Sequence, residues 1–387
     1  MRPVAIIGVG QTNHGRRTDA SYTDLIYEAV KKSIGDAGIS MKEIDAVISG
    51  SMPPGQEGIN QPHLYWTDAL GAFGKPHIRL ATCGTTGMSV AQSAFYHIAS
   101  GMFDIVLAVG AEKMLEGDPQ GVMNTVLEPF FCRDFISGAP SDFAMQVNEY
   151  AHTYHLPADR VREAAARIAV DRHESAMYNP HAHLRQRITV EDVLNSRVIA
   201  YPVHLLDICL NSDGACAVVF ASGDTARKIC NKPAWVKGLS YCGDEYWLGD
   251  SDKVRWKVPM IAAKNAYAMA GIQNPRREID VAELYNPFTF QELIWFETFG
   301  FCDPGEACKL VEEGVVLRGG DLPCDPSGGV LCANPIGASG LVRVGESALQ
   351  VMGKAGDRQI EGAKTAFCHA MGGTVNFVGT MVLSSAL

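Results

Sequence analysis

The sequence lacks the features that mark several protein classes. Its eleven cysteines are odd in number and form no Cys-x-x-Cys pair, which argues against a secreted disulfide framework and against a zinc ribbon. The formal net charge is −10 with no block of like charges, so no basic surface for nucleic acid is predicted. No apolar run approaches the length of a membrane helix, and the N-terminal VAIIGV is too short for a signal-peptide core. We therefore expect a cytoplasmic protein of enzyme size without a bound metal.

The pattern of apolar residues predicts an α/β fold. The chain has 387 residues, of which 47% are hydrophobic and 20% charged, enough for two core-sized units and an insertion. Short apolar runs at 3–9, 44–50, 77–81 and 104–110 alternate with helical patterns, the first of which has a capping-box spacing at Ser21 and Asp24. Such alternation predicts a mostly parallel sheet with helices on its faces.

The two halves of the chain resemble each other. Residues 29–47 and 262–284 both carry a helix ending in Ala-Gly-Ile, a linker, then Glu-Ile-Asp and a strand. Residues 82–94 likewise match 334–349, and 104–110 match 364–370. A duplicated unit explains these matches. The predicted division is a first half at 1–116, an inserted loop domain over the active site at 117–200, strands completing the first half at 201–233, and a second half at 234–387.

Cys83 is the first candidate for chemistry. It stands where an apolar strand ends and a glycine-rich helix begins. The helix dipole and free backbone N–H groups at such a place favour a thiolate, and the same N–H groups can hold an oxyanion. The alternative is a small buried cysteine that fills a tight packing site.

His369 is the second candidate. Only this one of eleven histidines lies after residue 204, and it precedes Gly372 and Gly373 in the loop that the repeat relates to the end of 104–110. An imidazole has a pKa suited to a general base at neutral pH. A structural histidine is the alternative, and Cys368 is a rival for the role, although adjacent strand residues point to opposite faces.

Two further turns fall in equivalent places. Tyr285 follows a predicted strand, and Asn334 opens a predicted helix. Ligands of parallel α/β sheets gather at the carboxyl ends of strands. Cys83, Tyr285, Asn334 and His369 therefore form a candidate set of nucleophile, hydroxyl, amide and base. Ordinary turn residues beside proline are the alternative for Tyr285 and Asn334.

Five segments in order resemble the thiolase superfamily, and most closely its sterol-carrier-type and archaeal-type branch. They are ATCGTTGMSVAQ, DIVLAVGAEKM, LLDICLNSDGACAVV, AELYNPFTFQEL and GGVLCANPIGASGLVRVGE. The resemblance covers nearly the whole chain. It implies the thiolase fold: two duplicated βαβαβ-type halves in α-β-α-β-α layers, with an inserted loop domain.

The resemblance also implies roles for the candidate residues. Cys83 matches the cysteine that takes the acyl group as a thioester. His369 falls on the cysteine of the family's Cys-x-Gly loop, Asn334 on the histidine of Gly-His-Pro, and Tyr285 on the first residue of the Asn-Glu-Ala-Phe loop. Loss of the Gly-His-Pro histidine implies that His369 has taken over proton transfer, with Gly372 and Gly373 as backbone oxyanion donors.

The expected activity is that of a thiolase, in which Cys83 cleaves a 3-oxoacyl-CoA with coenzyme A as co-substrate. One alternative is a retro-aldolase of the lipid-transfer-protein type that uses Tyr285, because related steroid side-chain aldolases have a Tyr-Asp-x-Phe motif near this position. Another is a non-catalytic subunit that binds an acyl-CoA.

Expectations about substrate and partners rest on the resemblance and on composition. Aromatic segments at 64–70, 130–135 and 244–250 suit a bulky substrate such as benzoylsuccinyl-CoA. Candidate ligands for the CoA phosphates are four arginines of the insertion, Arg160, Arg162, Arg185 and Arg187. The family implies a homodimer or a dimer of dimers, and a small OB-fold, zinc-ribbon partner subunit.

Overall fold

The structure is a computed structural model that describes residues 2–52, 58–130, 133–134, 138–245 and 251–387. The predicted aromatic segments at 130–135 and 244–250 therefore lie partly outside the described residues. No helix of the described ranges is long and apolar enough to cross a lipid bilayer.

The first part of the chain follows the predicted alternation of strands and helices. Ser21 and Asp24 form the predicted capping box, and Gly38 ends the first helix with φ of 69°. The elements are β1 (Val4–Gln11), α1 (Tyr22–Ala37), β2 (Ala46–Gly50), α2 (His63–Leu70), β3 (His77–Leu80), α3 (Thr86–Ala99) and β4 (Ile105–Lys113).

Helices dominate the segment that follows, before the chain returns to the sheet. They are α4 (Pro119–Asn124), α5 (Ala139–Thr153), α6 (Ala158–Ala176) and α7 (Val190–Asn195), followed by the short strands β5 (Val198–Ala200) and β6 (Val203–His204). The return consists of β7 (Asp213–Ser222) and α8 (Gly223–Ile229).

The remaining elements belong to the second half of the chain. They are β8 (Ala234–Gly243), α9 (Lys257–Ala270), α10 (Pro275–Glu278), β9 (Val281–Glu283), α11 (Thr289–Thr298), α12 (Ala307–Glu312), α13 (Gly329–Cys332), α14 (Ile336–Met352), β10 (Thr365–Gly372) and β11 (Phe377–Ser384).

The described strands pair in a mixed sheet, and the prediction of a mostly parallel one is wrong. Their order is β3-β2-β4-β7-β1-β8-β11-β10-β9. The pairs β2–β3, β2–β4 and β9–β10 are parallel, whereas β7 and β11 run antiparallel to their neighbours. For β11 the physical reason is its short connection to β10. The few residues between Gly372 and Phe377 are too few for the crossover that parallel strands need.

The central helices α3 and α14 lie between the two halves of the sheet. Helix α14 packs on α3 and on strands of both halves, while α1 covers the outer face of the first half and α9 that of the second. These are the α-β-α-β-α layers that the resemblance predicts. A Cβ on Gly87 of α3 would lie 2.2 Å from the backbone nitrogen of Leu341 in α14. The small residues of these helices therefore let the two backbones approach closely.

The position of helix α2 shows that one prediction from the sequence is wrong. The aromatic segment 64–70 was expected to suit a bulky substrate, but Trp66 is buried and stacks on Tyr22 with ring centroids 4.8 Å apart. Trp66 thus packs α2 on α1 in the outer layer, because a large aromatic side chain gains more from the core than from solvent.

Candidate active site

Cys83 lies in a sharp turn between β3 and α3. Its φ is 53°, a left-handed conformation that few residues other than glycine adopt. The turn is closed by hydrogen bonds to the Cys83 carbonyl oxygen from the backbone N–H of Thr86 (3.1 Å) and from the Thr86 hydroxyl (2.6 Å). A Cβ at the next residue, Gly84, would lie 2.4 Å from the carbonyl oxygen of Met371. Strained backbone held by such contacts is typical of functional sites.

The environment of the Cys83 thiol has opposing effects on its ionisation. Burial raises the pKa of Cys83 above its ordinary value, while a hydrogen bond from the backbone N–H of Gly373 lowers it. A Cβ at Gly372 would lie within 3 Å of backbone atoms of Thr82, Gly84 and Thr85, so the end of β10 packs directly on the cysteine turn. The structure therefore places Gly372 beside the Cys83 turn, and of the two predicted backbone donors Gly373 has a hydrogen bond to the thiol.

A cavity of about 130 Å³ opens above the thiol. Residues of the segment 117–200, among them Met123, Leu127 and Phe143, line the cavity together with Cys83. The lining that the structure describes is mostly apolar and contains no Asp, Glu, His, Lys or Arg side chain. Its only ionisable groups are two thiols and a phenol, those of Cys83, Cys209 and Tyr285.

Tyr285 follows β9 and lines the cavity. It is 3% exposed, and a Cβ on Gly84 would lie 2.9 Å from its hydroxyl oxygen, so the phenol lies against the Cys83 turn. Burial is the main cause that raises the pKa of Tyr285, and the thiols of Cys209 and Cys83 add to it. The phenol is therefore neutral at physiological pH, and its O–H is available to donate a hydrogen bond to a bound molecule.

Asn334 precedes α14 and lines the cavity together with Cys209. Its Nδ2 donates a hydrogen bond to Cys209 Sγ at 3.2 Å, and its Oδ1 accepts one from the Ser339 hydroxyl at 2.8 Å. Its backbone N–H also donates to Ser212 Oγ at 3.1 Å. Asn334 thus fixes the loop that carries Cys209 against the start of α14. Burial raises the pKa of Cys209 to about 12, although the Asn334 hydrogen bond opposes this.

Sequence reasoning missed Cys209 because it expected the site at the carboxyl ends of parallel strands. Cys209 precedes β7, which runs antiparallel to β4, with Asp213 opposite Lys113. The amino end of β7 therefore lies at the same edge as the carboxyl end of β4. The one available signal was the position of Cys209 inside LLDICLNSDGACAVV, a segment already used to identify the resemblance.

The structure does not bring His369 to the cavity. It lies within β10 instead of after it, is fully buried, and points away from α14. Its ring contacts Trp295 and Phe299 at centroid distances of 4.9 and 4.7 Å, and its Nδ1 accepts a hydrogen bond from the Tyr285 backbone N–H at 3.2 Å. Burial lowers the pKa of His369 to about 3, so the ring is neutral. This placement disagrees with the predicted acid–base role and indicates that His369 positions Tyr285.

Its rival Cys368 points to the opposite face of β10, as strand geometry requires. The thiol is fully buried, lies 3.7 Å from the carbonyl oxygen of Met381, and does not line the cavity.

The four arginines predicted to bind CoA do not line the cavity either. Arg160 pairs with Glu312 at 2.7 Å and Arg187 with Glu174 at 2.6 Å. Arg162 lies 3.8 Å from Asp159, and Arg185 donates to the carbonyl oxygen of Met177. Because nearby carboxylates neutralise three of these charges, the structure does not support their prediction as phosphate ligands.

Two protein-family models match most of the chain. Residues 4–224 match "Thiolase, N-terminal domain", and residues 250–385 match "Thiolase C-terminal domain-like".

Curated relatives align with nearly all of the sequence. An acetyl-CoA acetyltransferase of Methanothermobacter thermautotrophicus is 35% identical over 380 residues, covering 97% of each chain. Sterol carrier protein 2 of Gallus gallus is 29% identical over 96% of this chain and 70% of its own length. Benzoylsuccinyl-CoA thiolase subunit BbsB of Thauera aromatica is 29% identical over 96% of this chain and 95% of that protein.

A solved structure also resembles this fold over its whole length. The structure described as "Ltp2-ChsH2(DUF35) aldolase" superposes with a TM-score of 0.83 at 26% sequence identity, covering 99% of this chain and 97% of that one.

Proposed function

From the premise that this chain belongs to the thiolase family of enzymes, we propose that it cleaves a 3-oxoacyl-CoA through an acyl thioester on Cys83. The observation that supports this most directly is the placement of the thiol. Cys83 sits on a strained turn at the floor of an apolar cavity and accepts a hydrogen bond from Gly373. A nucleophile held in this way attacks a carbonyl carbon without reorganising the site.

The reaction proceeds in two stages. The Cys83 thiolate adds to the 3-keto carbon, the carbon–carbon bond breaks, and the electron pair passes to the neighbouring carbon as an enolate thioester. Coenzyme A then attacks the Cys83 thioester and releases the second acyl-CoA. The side-chain amide of Asn334 has a second N–H beyond the one that binds Cys209, and this N–H is available to stabilise negative charge in the cavity.

The lining favours a bulky, apolar or aromatic acyl group. Phe143 and Phe288 stack at 4.4 Å in the cavity wall beside the methionines of the lining. Benzoylsuccinyl-CoA, the specific substrate expected from the resemblance, also has a carboxylate. In the described lining that carboxylate would find amide and hydroxyl groups, such as those of Asn124, Asn211 and Thr374, but no cation.

The direct test is intact-protein mass after brief exposure to acetoacetyl-CoA, benzoylacetyl-CoA or benzoylsuccinyl-CoA. Wild-type protein is expected to gain one acyl group, most rapidly with benzoylacetyl-CoA, and Cys83→Ala none. Cys230→Ala is the control, since Cys230 does not line the cavity. An adduct that persists in Cys83→Ala would contradict the assignment of the nucleophile. Faster acylation by benzoylsuccinyl-CoA than by benzoylacetyl-CoA would show that the site recognises the carboxylate.

A retro-aldolase is the second candidate, and the Tyr285 phenol favours it. Within the described residues its hydroxyl forms no hydrogen bond and faces the cavity, and a solved structure of similar fold is described as an aldolase. A retro-aldol step needs no thiol nucleophile. An aldolase would therefore cleave a 3-hydroxyacyl-CoA without coenzyme A and would survive Cys83→Ala. A protein that only binds acyl-CoA would retain no acyl group and cleave neither substrate class.

A small OB-fold, zinc-ribbon subunit is the proposed partner. The support is that the similar solved structure carries two named components, Ltp2 and ChsH2(DUF35). Co-expression with a candidate subunit, followed by size-exclusion chromatography with light scattering, tests the association. A homodimer is expected for the chain alone, and a larger particle when the subunit is present.

A further inference from the structure

The proposed reaction needs a proton donor and acceptor that the cavity does not obviously supply. Breaking the carbon–carbon bond leaves an enolate that must be protonated, and the incoming coenzyme A must lose its thiol proton. His369 points to another face of the sheet, and no carboxylate, imidazole or amine lines the described part of the cavity. Glu112 lies behind the lining, where its Oε2 accepts hydrogen bonds from the N–H groups of Met52 and Gly337.

Two ionisable groups remain in the described lining besides the nucleophile. The Tyr285 backbone N–H donates to His369, and no described residue donates a hydrogen bond to the buried phenol oxygen, so nothing in the lining stabilises a phenolate. Cys209 lies in the loop before β7 and also lines the cavity. It receives a hydrogen bond from Asn334 Nδ2 at 3.2 Å, a contact that stabilises the sulfur when it is negative.

We propose that Cys209 is the acid–base residue of the reaction, carrying the proton between the two stages. This inference rests on the proposed thiolase function. Three observations support it: Cys209 and Cys83 line one cavity, the Asn334 amide is aimed at the Cys209 sulfur, and the Tyr285 phenol lies close enough to both thiols to respond to their charges. The second thiol is supplied by the loop before β7, far from Cys83 in sequence.

The proton balance closes over one turnover. The catalytic cycle begins with Cys83 as a thiolate and Cys209 as a thiol. When the carbon–carbon bond breaks, the enolate carbon takes the Cys209 proton, which leaves Cys83 acylated and Cys209 as thiolate. The Cys209 thiolate then removes the proton of coenzyme A, whose sulfur attacks the thioester carbonyl and expels the Cys83 thiolate. Both thiols return to their starting states.

Backbone hydrogen bonds hold the Cys209 loop in place. Its backbone N–H donates to the Pro287 carbonyl oxygen at 2.8 Å, and Ile208 pairs with Phe288, so the loop is attached to the segment after Tyr285. On the other side, Ser212 N–H donates to the Asn334 carbonyl oxygen at 3.2 Å. A proton carrier must stay within reach of its substrate atom, and these contacts hold the sulfur at the cavity wall.

The test separates carbon–carbon cleavage from simple acyl transfer, using benzoylacetyl-CoA and benzoyl-CoA as probes. Cleavage of benzoylacetyl-CoA requires protonation of the enolate, whereas benzoyl-CoA can acylate Cys83 by expelling the CoA thiolate. We expect Cys209→Ala to slow single-turnover cleavage about 10²–10⁴-fold and to slow acylation by benzoyl-CoA less than about ten-fold.

Cys209→Ser distinguishes proton transfer from positioning. Serine keeps a side chain of similar size and an acceptor for Asn334, but its hydroxyl is a far weaker acid than a thiol and cannot carry the proton. It should therefore lose cleavage as severely as Cys209→Ala, while its melting temperature stays close to wild type. Cys230→Ala is the matched control and should cleave normally.

Each result has a distinct meaning. Normal cleavage by Cys209→Ala or by Cys209→Ser would overturn the role of Cys209 and leave the thiolase proposal intact. An equal loss of both half-reactions in a folded variant would also overturn it, in favour of a structural role. If wild-type protein is acylated by neither probe, it is the proposed thiolase function that fails.

Discussion

The Cys83 thiol is half-buried in the cavity lining, and the proposed mechanism makes its ionisation the main source of pH dependence. Burial raises its pKa, and the Gly373 N–H only partly compensates. Its neighbours in the described lining are the neutral groups of Cys209 and Tyr285, with no cation among them. The free enzyme therefore has few Cys83 thiolates at neutral pH, and the thiolate is the reactive form.

We accordingly predict that alkylation of Cys83 by iodoacetamide accelerates as the pH rises. Because the pKa is raised, the ionised fraction should still be increasing at about pH 9, where an ordinary thiol is levelling off. The rate is read by intact mass, with Cys83→Ala to identify the modified site. A rate that levels off below about pH 8 would show instead that the site stabilises the thiolate.

His369 offers a second prediction at this scale. In a His369→Asn variant, the side-chain amide oxygen would take the place of Nδ1 and still accept the hydrogen bond from the Tyr285 backbone N–H. His369→Asn should therefore keep kcat within about ten-fold of wild type, whereas removal of a general base costs about 10²–10⁴-fold. The lost ring contacts with Trp295 and Phe299 should lower the melting temperature. A folded variant with a 10²-fold lower kcat and an altered pH profile would restore the acid–base role predicted from sequence.

These residues show why the sequence predicts the site only in part. Cys83 was recognisable because strand, cysteine and glycine-rich helix are consecutive in the chain. The side to which His369 points depends on where β10 begins, since alternate strand residues face opposite ways. Cys209 reaches the cavity only through antiparallel pairing between distant segments, which local patterns do not report.

At the scale of elements, the repeat predicted the α/β order but not the direction of every strand. The capping box of α1, the helix after Cys83 and strands β1 to β4 lie where the sequence places them. The antiparallel strands β7 and β11 do not follow from alternation, because β7 follows the insertion and β11 follows a tight turn. The sequence did not predict the close contact between α3 and α14, which Gly87 permits.

That contact yields a prediction about Gly87. Its Cβ would lie 2.2 Å from Leu341 N and 3.0 Å from the carbonyl oxygen of Ala338, both backbone atoms of α14. Gly87→Ala must therefore push the helices apart, and we expect a loss of about 1–3 kcal/mol in unfolding free energy. Acylation of Cys83 should slow as well, because α3 holds the cysteine turn.

Gly35 provides the matched control within helix α1. Nothing lies within 4 Å of its Cβ position, so Gly35→Ala should be neutral or stabilise the protein by up to about 1 kcal/mol. Urea unfolding of both variants makes the comparison. Equal stability of Gly87→Ala and wild type would mean that the central helices can separate without cost.

At the scale of the whole molecule, the buried carboxylate of Glu346 on α14 contacts residues of both halves of the chain. Glu346 accepts hydrogen bonds from Gln11 of β1 and from Arg358, whose Nε lies 2.6 Å from its Oε2. Burial alone would raise the pKa of Glu346, but the charge and hydrogen bonds of Arg358, the hydrogen bond from Gln11 and the charge of Arg343 together hold the pKa below its usual value. The carboxylate is therefore ionised and paired in the interior, where loss of one partner is costly.

Glu346→Gln should accordingly lower the unfolding free energy by about 3–5 kcal/mol at pH 7, because Arg358 would remain buried without its counter-ion. A carboxyl group with a lowered pKa stabilises the fold above its unfolded pKa of about 4.3, and this stabilisation is lost as the pH falls through the folded pKa. The gap between variant and wild type in urea should therefore narrow in acid. Replacing the exposed Glu163, which pairs with Arg167 at 2.7 Å, by glutamine should cost at most about 0.5 kcal/mol. If Glu346→Gln changes stability no more than this surface control, the buried pair does not stabilise the fold.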